Sequence, residues 1–82
     1  MNHIKVLFFA TLRDRAGVKS LELDIPAEMT ILGLKEKLST DHPNLKDSMK
    51  SVLITINREY AFDEALVPEN AEIALFPPVS GG

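Results

Sequence analysis

The chain has 82 residues, 45% of them hydrophobic, no cysteine and a net charge of −3. That is one small domain with a single modest core, and without sulfur ligands it can form neither disulfides nor thiolate or iron–sulfur sites. An acidic balance with no long basic run argues against nucleic acid as the main partner, and no apolar run reaches the length of a membrane span. The start, Met1-Asn2-His3-Ile4-Lys5, carries no cleavable leader signal, so a cytoplasmic location is the expectation.

His3 to Ala10 reads as a strand that is apolar on both faces. Ile4, Val6 and Phe8 share one side, and Lys5, Leu7 and Phe9 the other. A strand of that kind is central in its sheet. Thr11 to Val18, with Gly17 as an easy turn, is expected to be a connecting loop. Lys19–Ile25 then alternates cleanly, with Leu21, Leu23 and Ile25 inward against Ser20, Glu22 and Asp24.

Pro26 closes that strand, and Thr30 is placed to cap a helix running to about Thr40. Ile31, Leu34 and Leu38 make its apolar stripe, with Leu32 at the margin and Lys35, Glu36 and Lys37 on the wet side. His42-Pro43 stops the helix, because the residue before proline is pushed out of the α region. Between Leu45 and Ser51 one further short turn is expected, with Met49 inward.

Val52–Asn57 is a third strand and Asn57-Arg58-Glu59 a turn. Tyr60–Phe62 is a short fourth strand, Pro68-Glu69-Asn70 another turn, and Glu72–Phe76 the last strand. One good helix can cover only one face of such a sheet, which makes the fold α+β. The arrangement that suits this order is a β-grasp, ubiquitin-like roll over residues 1–76. In it a mixed sheet of about five strands packs on one main helix, with the first and last strands side by side. A split, ferredoxin-like sandwich is the other candidate, but it needs two helices.

Two features point beyond the fold. If Ile4, Val6, Phe8, Ile73 and Leu75 face the helix, then Leu7, Phe9 and Phe76 face away from it, and Tyr60 lies where it can join them. Burying one such side chain is worth roughly 1.5–3 kcal/mol, so a set left open marks a protein partner. The bland alternative is that loops 11–18 and 57–70 fold over the patch. The second feature is the ending, Pro77-Pro78-Val79-Ser80-Gly81-Gly82. Each proline fixes φ and cannot continue a ladder, so the pair ends the strand and projects residues 77–82 as an extended, flexible tail. Glycine has no Cβ, so Gly81 and Gly82 can thread a channel that any side chain would block. Ordering Ser80 to Gly82 costs roughly 3–6 kcal/mol, so access rather than affinity explains the composition.

Ordinary catalysis finds no footing. His3 and His42 stand in unrelated contexts, and Glu28, Asp41 and Asp47 make no compelling acid–base pair. No nucleophile–base set, metal site or phosphate-cradling glycine loop is assembled, and Gly33 stands alone within the helix.

Lys5-Val6-Leu7-Phe8-Phe9-Ala10-Thr11-Leu12-Arg13 with Gly17, the segment Ile56-Asn57-Arg58-Glu59-Tyr60 with Asp63 and Leu66, and the ending Ala74-Leu75-Phe76-Pro77-Pro78-Val79-Ser80-Gly81-Gly82 are similar to one known pattern. The whole chain resembles the MoaD/ThiS family of ubiquitin-like sulfur carriers, and within it the small subunits of molybdopterin synthases. One departure is Asn70-Ala71-Glu72, where the family often has Gly-Asp-Glu, and it touches only a turn. The resemblance implies that the Gly82 carboxylate is adenylated with ATP by an E1-like (MoeB-like) adenylating enzyme. A sulfurtransferase then supplies the sulfur that makes it a thiocarboxylate. The tip inserts into a large (MoaE-like) synthase subunit, within a heterotetramer, and gives sulfur to cyclic pyranopterin monophosphate. Phe9, Tyr60 and Phe76 would be the docking surface, with Leu7 and Arg13 beside them. No cofactor of its own is implied, and catalytic side chains would belong to the partner. The rival roles are a sulfur carrier for thiamine thiazole synthesis and a ubiquitin-like modifier joined to lysines through Gly82.

Overall fold

The structure, a computed structural model, describes residues 1–78. In chain order it has β1 (Asn2–Phe8), α1 (Thr11–Ala16), β2 (Ser20–Ile25), α2 (Ile31–Asp41), two 3-10 turns (Pro43–Leu45 and Ser48–Lys50), β3 (Leu53–Ile56), β4 (Glu59–Tyr60) and β5 (Glu72–Phe76). The strands form one sheet in the order β2-β1-β5-β3-β4. Only the central β1–β5 pair is parallel; the other neighbours are antiparallel. The first and last strands therefore lie side by side in the middle, which is the β-grasp arrangement.

Alternation along the strands builds the core. Ile4, Val6 and Phe8 of β1, Ile25 of β2, Ile54 of β3 and Ile73 and Leu75 of β5 are buried on one face. The stripe Ile31, Leu34 and Leu38 of α2 is buried with them in one cluster, completed by Leu45, Met49, Val52 and Val67. Spacing of three and four residues puts the stripe on one side of α2. Thr30 caps that helix as its spelling suggests: its Oγ1 accepts a hydrogen bond from the Gly33 N–H at 3.2 Å. At the other end the His42 N–H donates to the Leu38 carbonyl before Pro43 stops the helix.

Three expectations are corrected. Residues 11–16 are not loop but the helix α1, with Leu12 buried in the core and Gly17 as its left-handed C-cap at φ 81°. A helix of one and a half turns shows only one buried side chain, so no periodicity can announce it. Lys35 is not on the wet side: its Nζ lies 2.6 Å from Asp63 Oδ1 and its side chain is largely buried. The fourth strand ends at Tyr60 rather than Phe62, and the chain from Ala61 turns under the N-terminus of α2. There the Ile31 and Leu32 N–H groups donate to the Ala65 and Asp63 carbonyls, and the Val67 N–H to Met29.

Candidate functional site

Because α2 packs on one face of the sheet, the other face depends on what its strands present. Cross-strand register aligns Leu7 of β1, Ala74 of β5, Thr55 of β3 and Tyr60 of β4 in a single row across the sheet. The next row holds Phe76 opposite Leu53. Phe9, just past β1, lays its ring on that of Phe76, with centroids 4.7 Å apart and planes only 9° from parallel. Their backbones are tied as well, since the Phe9 N–H donates to the Leu75 carbonyl at 3.2 Å. Ala10 follows at φ 53°, a conformation that costs a non-glycine residue about 1–3 kcal/mol. That turn lets Phe9 stay on the outer face while Leu12, three residues on, drops into the core.

Neither suspected loop covers this surface. Phe9 keeps 41% of its area in solvent and Tyr60 76%. Leu7, Phe9, Phe76 and Tyr60 line one shallow concavity of about 550 Å³, rimmed by Arg58 and Glu72. Helix α1 does not roof it, because its buried residue belongs to the core cluster on the opposite side. Arg13 is exposed on α1 and lines a different depression with Gly17 and Lys19, so the structure does not bring it to the aromatic face.

The turn that carries Arg58 is held by two residues with positive φ, Asn57 at 50° and Arg58 at 74°. Such angles suit a two-residue hairpin between right-twisted strands. Asn57 stitches this turn to β5: its Oδ1 accepts from the Glu72 N–H at 2.9 Å and its own N–H donates to the Glu72 carbonyl at 2.8 Å. Arg58 has no carboxylate within ion-pair distance among the described residues, so its charge stands free at the rim.

Further along the same face the character changes from apolar to charged. Lys5 pairs in register with Glu22 and Glu72, and His3 with Asp24. His3 bridges two carboxylates, with Nε2 2.8 Å from Glu22 and Nδ1 2.8 Å from Asp24. Hydrogen bonds to Glu22 and then Asp24 raise the His3 pKa above its ordinary 6.5, and the same contact lowers that of Glu22. His3 stands roughly 20 Å along the strand from Phe9, too far to act at the tail. His42 is a helix cap whose ring meets Phe8 edge-on at 6.5 Å. Among the described residues no group of three metal-ligating side chains comes together, and no helix is long and apolar enough to cross a membrane.

The tail begins at the edge of the aromatic stack. β5 ends at Phe76, and Pro77 is half-buried and Pro78 exposed. Val79, Ser80, Gly81 and Gly82, on which the sequence puts the chemistry, lie outside the described residues. The structure thus supplies an open apolar platform of Phe9, Phe76, Leu7 and Tyr60 at the tail's root. The neighbours Phe62 and Leu66 are exposed too, and the sequence did not show it, because Phe62 reads as the end of the fourth strand and Leu66 as part of a turn-rich segment.

Comparison with known proteins places the chain. The ThiS family model matches residues 6–82. The molybdopterin synthase sulfur carrier subunit of Arabidopsis thaliana is 38% identical over 79 residues, covering 96% of this chain and 82% of that one. Its Homo sapiens counterpart is 35% identical over 96% of this chain and 93% of the relative. The solution structure of small archaeal modifier protein 1 from Methanosarcina acetivorans superposes with a TM-score of 0.80 at 30% identity, covering 100% of this chain and 98% of that chain.

Proposed function

The chain belongs to the ThiS family, and from that premise we propose that it is the sulfur carrier subunit of a molybdopterin synthase. Its reactive atom is the carbonyl carbon of Gly82. A carboxylate is a poor electrophile, so one oxygen first attacks the α-phosphorus of ATP on an E1-like adenylating enzyme, releasing pyrophosphate. The persulfide of a sulfurtransferase then attacks the acyl carbon and expels AMP to give an acyl disulfide, and a thiol cleaves its S–S bond, itself ending in a disulfide, to leave the terminal thiocarboxylate. Inserted into the large synthase subunit in the cytoplasm, that tip gives its sulfur to cyclic pyranopterin monophosphate and returns as a carboxylate. A dithiolene has two sulfurs and each tip brings one, so every product needs two deliveries.

The residues of this chain position rather than catalyse. Phe9, Phe76, Leu7 and Tyr60 dock, Pro77 and Pro78 aim the tail, and Val79, Ser80 and Gly81 enter the partner's channel. Arg13, exposed on its own flank of the fold, contacts a partner away from the aromatic face. The observation that carries this reading is the stack of Phe9 on Phe76 at the foot of the tail, in a chain similar to named sulfur carriers. A second reading, a protein modifier joined to lysines through Gly82, is favoured by the likeness to the archaeal modifier.

Intact mass spectrometry of the protein from cells separates the two. A carrier gains about 16 Da when sulfur replaces one oxygen, whereas a modifier appears as lysine adducts. Gly82→Ala is expected to abolish the mass gain and leave the melting temperature unchanged. Lysine adducts without any thiocarboxylate would overturn the carrier assignment.

A further inference from the structure

We infer that the docking surface does not stop at Tyr60 but continues into a second groove, floored by Phe62 and Leu66, which receives an apolar, positively charged segment of the large synthase subunit. This inference rests on the reading just given. Phe62 is 82% exposed and Leu66 61%, and with Tyr60 at 76% they line one shallow groove past the edge of the sheet. Exposed apolar side chains scattered singly are ordinary, but three in one groove make a contiguous patch. Tyr60 lines this groove and the aromatic concavity alike. A partner that covers its ring from one side arrives at Phe62 on the other.

Size supports the continuation. A standard interface takes roughly 800 Å² from each partner, and one aromatic side chain supplies at most about 150–250 Å². Phe9 and Phe76 already hide much of their area in each other, so the concavity alone falls short. Phe62 and Leu66, 82% and 61% exposed, add open apolar area beyond it.

The charge at the rim says what kind of segment fits. Glu59 and Glu64 line the groove, no lysine or arginine does, and neither carboxylate is in an ion pair among the described residues. The free charge beside the aromatic concavity, Arg58, has the opposite sign. The partner surface that matches is therefore an apolar strip, with a carboxylate to meet Arg58 and lysine or arginine to meet Glu59 and Glu64.

The test is calorimetric titration of the large synthase subunit into the full chain and three variants, with thermal melts to show that each is folded. Phe62→Ser and Glu64→Lys are each expected to weaken binding about tenfold, and Phe76→Arg at least as much. Wild-type affinity for Phe62→Ser and Glu64→Lys, with Phe76→Arg impaired, would overturn the second groove and leave the carrier reading standing. Absence of wild-type binding would remove the carrier reading and this inference together. If sedimentation shows the free chain self-associating through a contact that Phe62→Ser abolishes, the groove belongs to a second copy and the inference fails.

Discussion

Truncating Phe9 to alanine separates what the aromatic stack does for folding from what it does for docking. Complete burial of a phenylalanine side chain is worth roughly 1.5–3 kcal/mol. Phe9 retains 41% exposure, so rather more than half of that value, about 0.9–1.8 kcal/mol, is already realised in the free protein. The offset stack with Phe76 at 4.7 Å adds about 0.5–1.5 kcal/mol. Phe9→Ala should therefore lower unfolding free energy in urea by about 1.5–3 kcal/mol, below the 3–5 kcal/mol of a fully buried phenylalanine. The open remainder, about 0.6–1.2 kcal/mol, is what a partner can still gain by covering it. In titration against the large synthase subunit, this corresponds to a Kd weakened about three- to eightfold. The variants Phe9→Ala, Phe76→Ala and the double change close a cycle whose coupling should be about 0.5–1.5 kcal/mol. A coupling indistinguishable from zero would show that the stack contributes nothing to folding. Unchanged affinity of Phe9→Ala would show that the outer face is not where the partner sits.

Leu12→Ala tests whether α1 belongs to the core. Its side chain is fully enclosed, so denaturation should register a loss of about 2–5 kcal/mol, whereas a value under 1 kcal/mol would return the segment to loop status. The His3 bridge predicts a pH dependence with a definite sign. The raised His3 pKa means that its contribution is complete below 6.5 and is lost as pH climbs through the folded-state value. Glu22, with its pKa lowered from 4.5, contributes above that value and loses its share as acid is added. The melting-temperature advantage of the wild type over His3→Ala should be largest between these limits and shrink toward pH 8.5. An advantage that does not vary with pH would mean that the bridge does not form in solution.

Much of this was legible because period-two and helical patterns are long-range signals. Ile4, Val6 and Phe8 against Ile73 and Leu75 named the inner face, and Ile31, Leu34 and Leu38 named what covers it. The outer patch followed by subtraction, since Leu7, Phe9 and Phe76 had nowhere else to go. What escaped was short or set by tertiary contact. Residues 11–16 hold one buried leucine, too little for a period, although Gly17 after Arg-Ala is an ordinary helix stop. Lys35 read as solvated because nothing in α2 itself announces Asp63, brought beneath it by a loop 28 residues away. Arg13 was expected among the docking residues from the family resemblance, but it lies on α1 beyond the turn at Ala10 and lines a different depression.

The parallel pairing of β1 with β5 has a mechanical consequence. β5 lies between β1 and β3 in the middle of the sheet, and the tail is its direct extension. Traction on the tail, as when a partner reels it in or lets it go, acts along that strand. Both flanking ladders then resist in shear, with their hydrogen bonds loaded together rather than unzipped one at a time. Pulled from its C-terminal end, β5 is gripped along both edges at once, and the domain is expected to hold where a strand at the rim of the sheet would peel away.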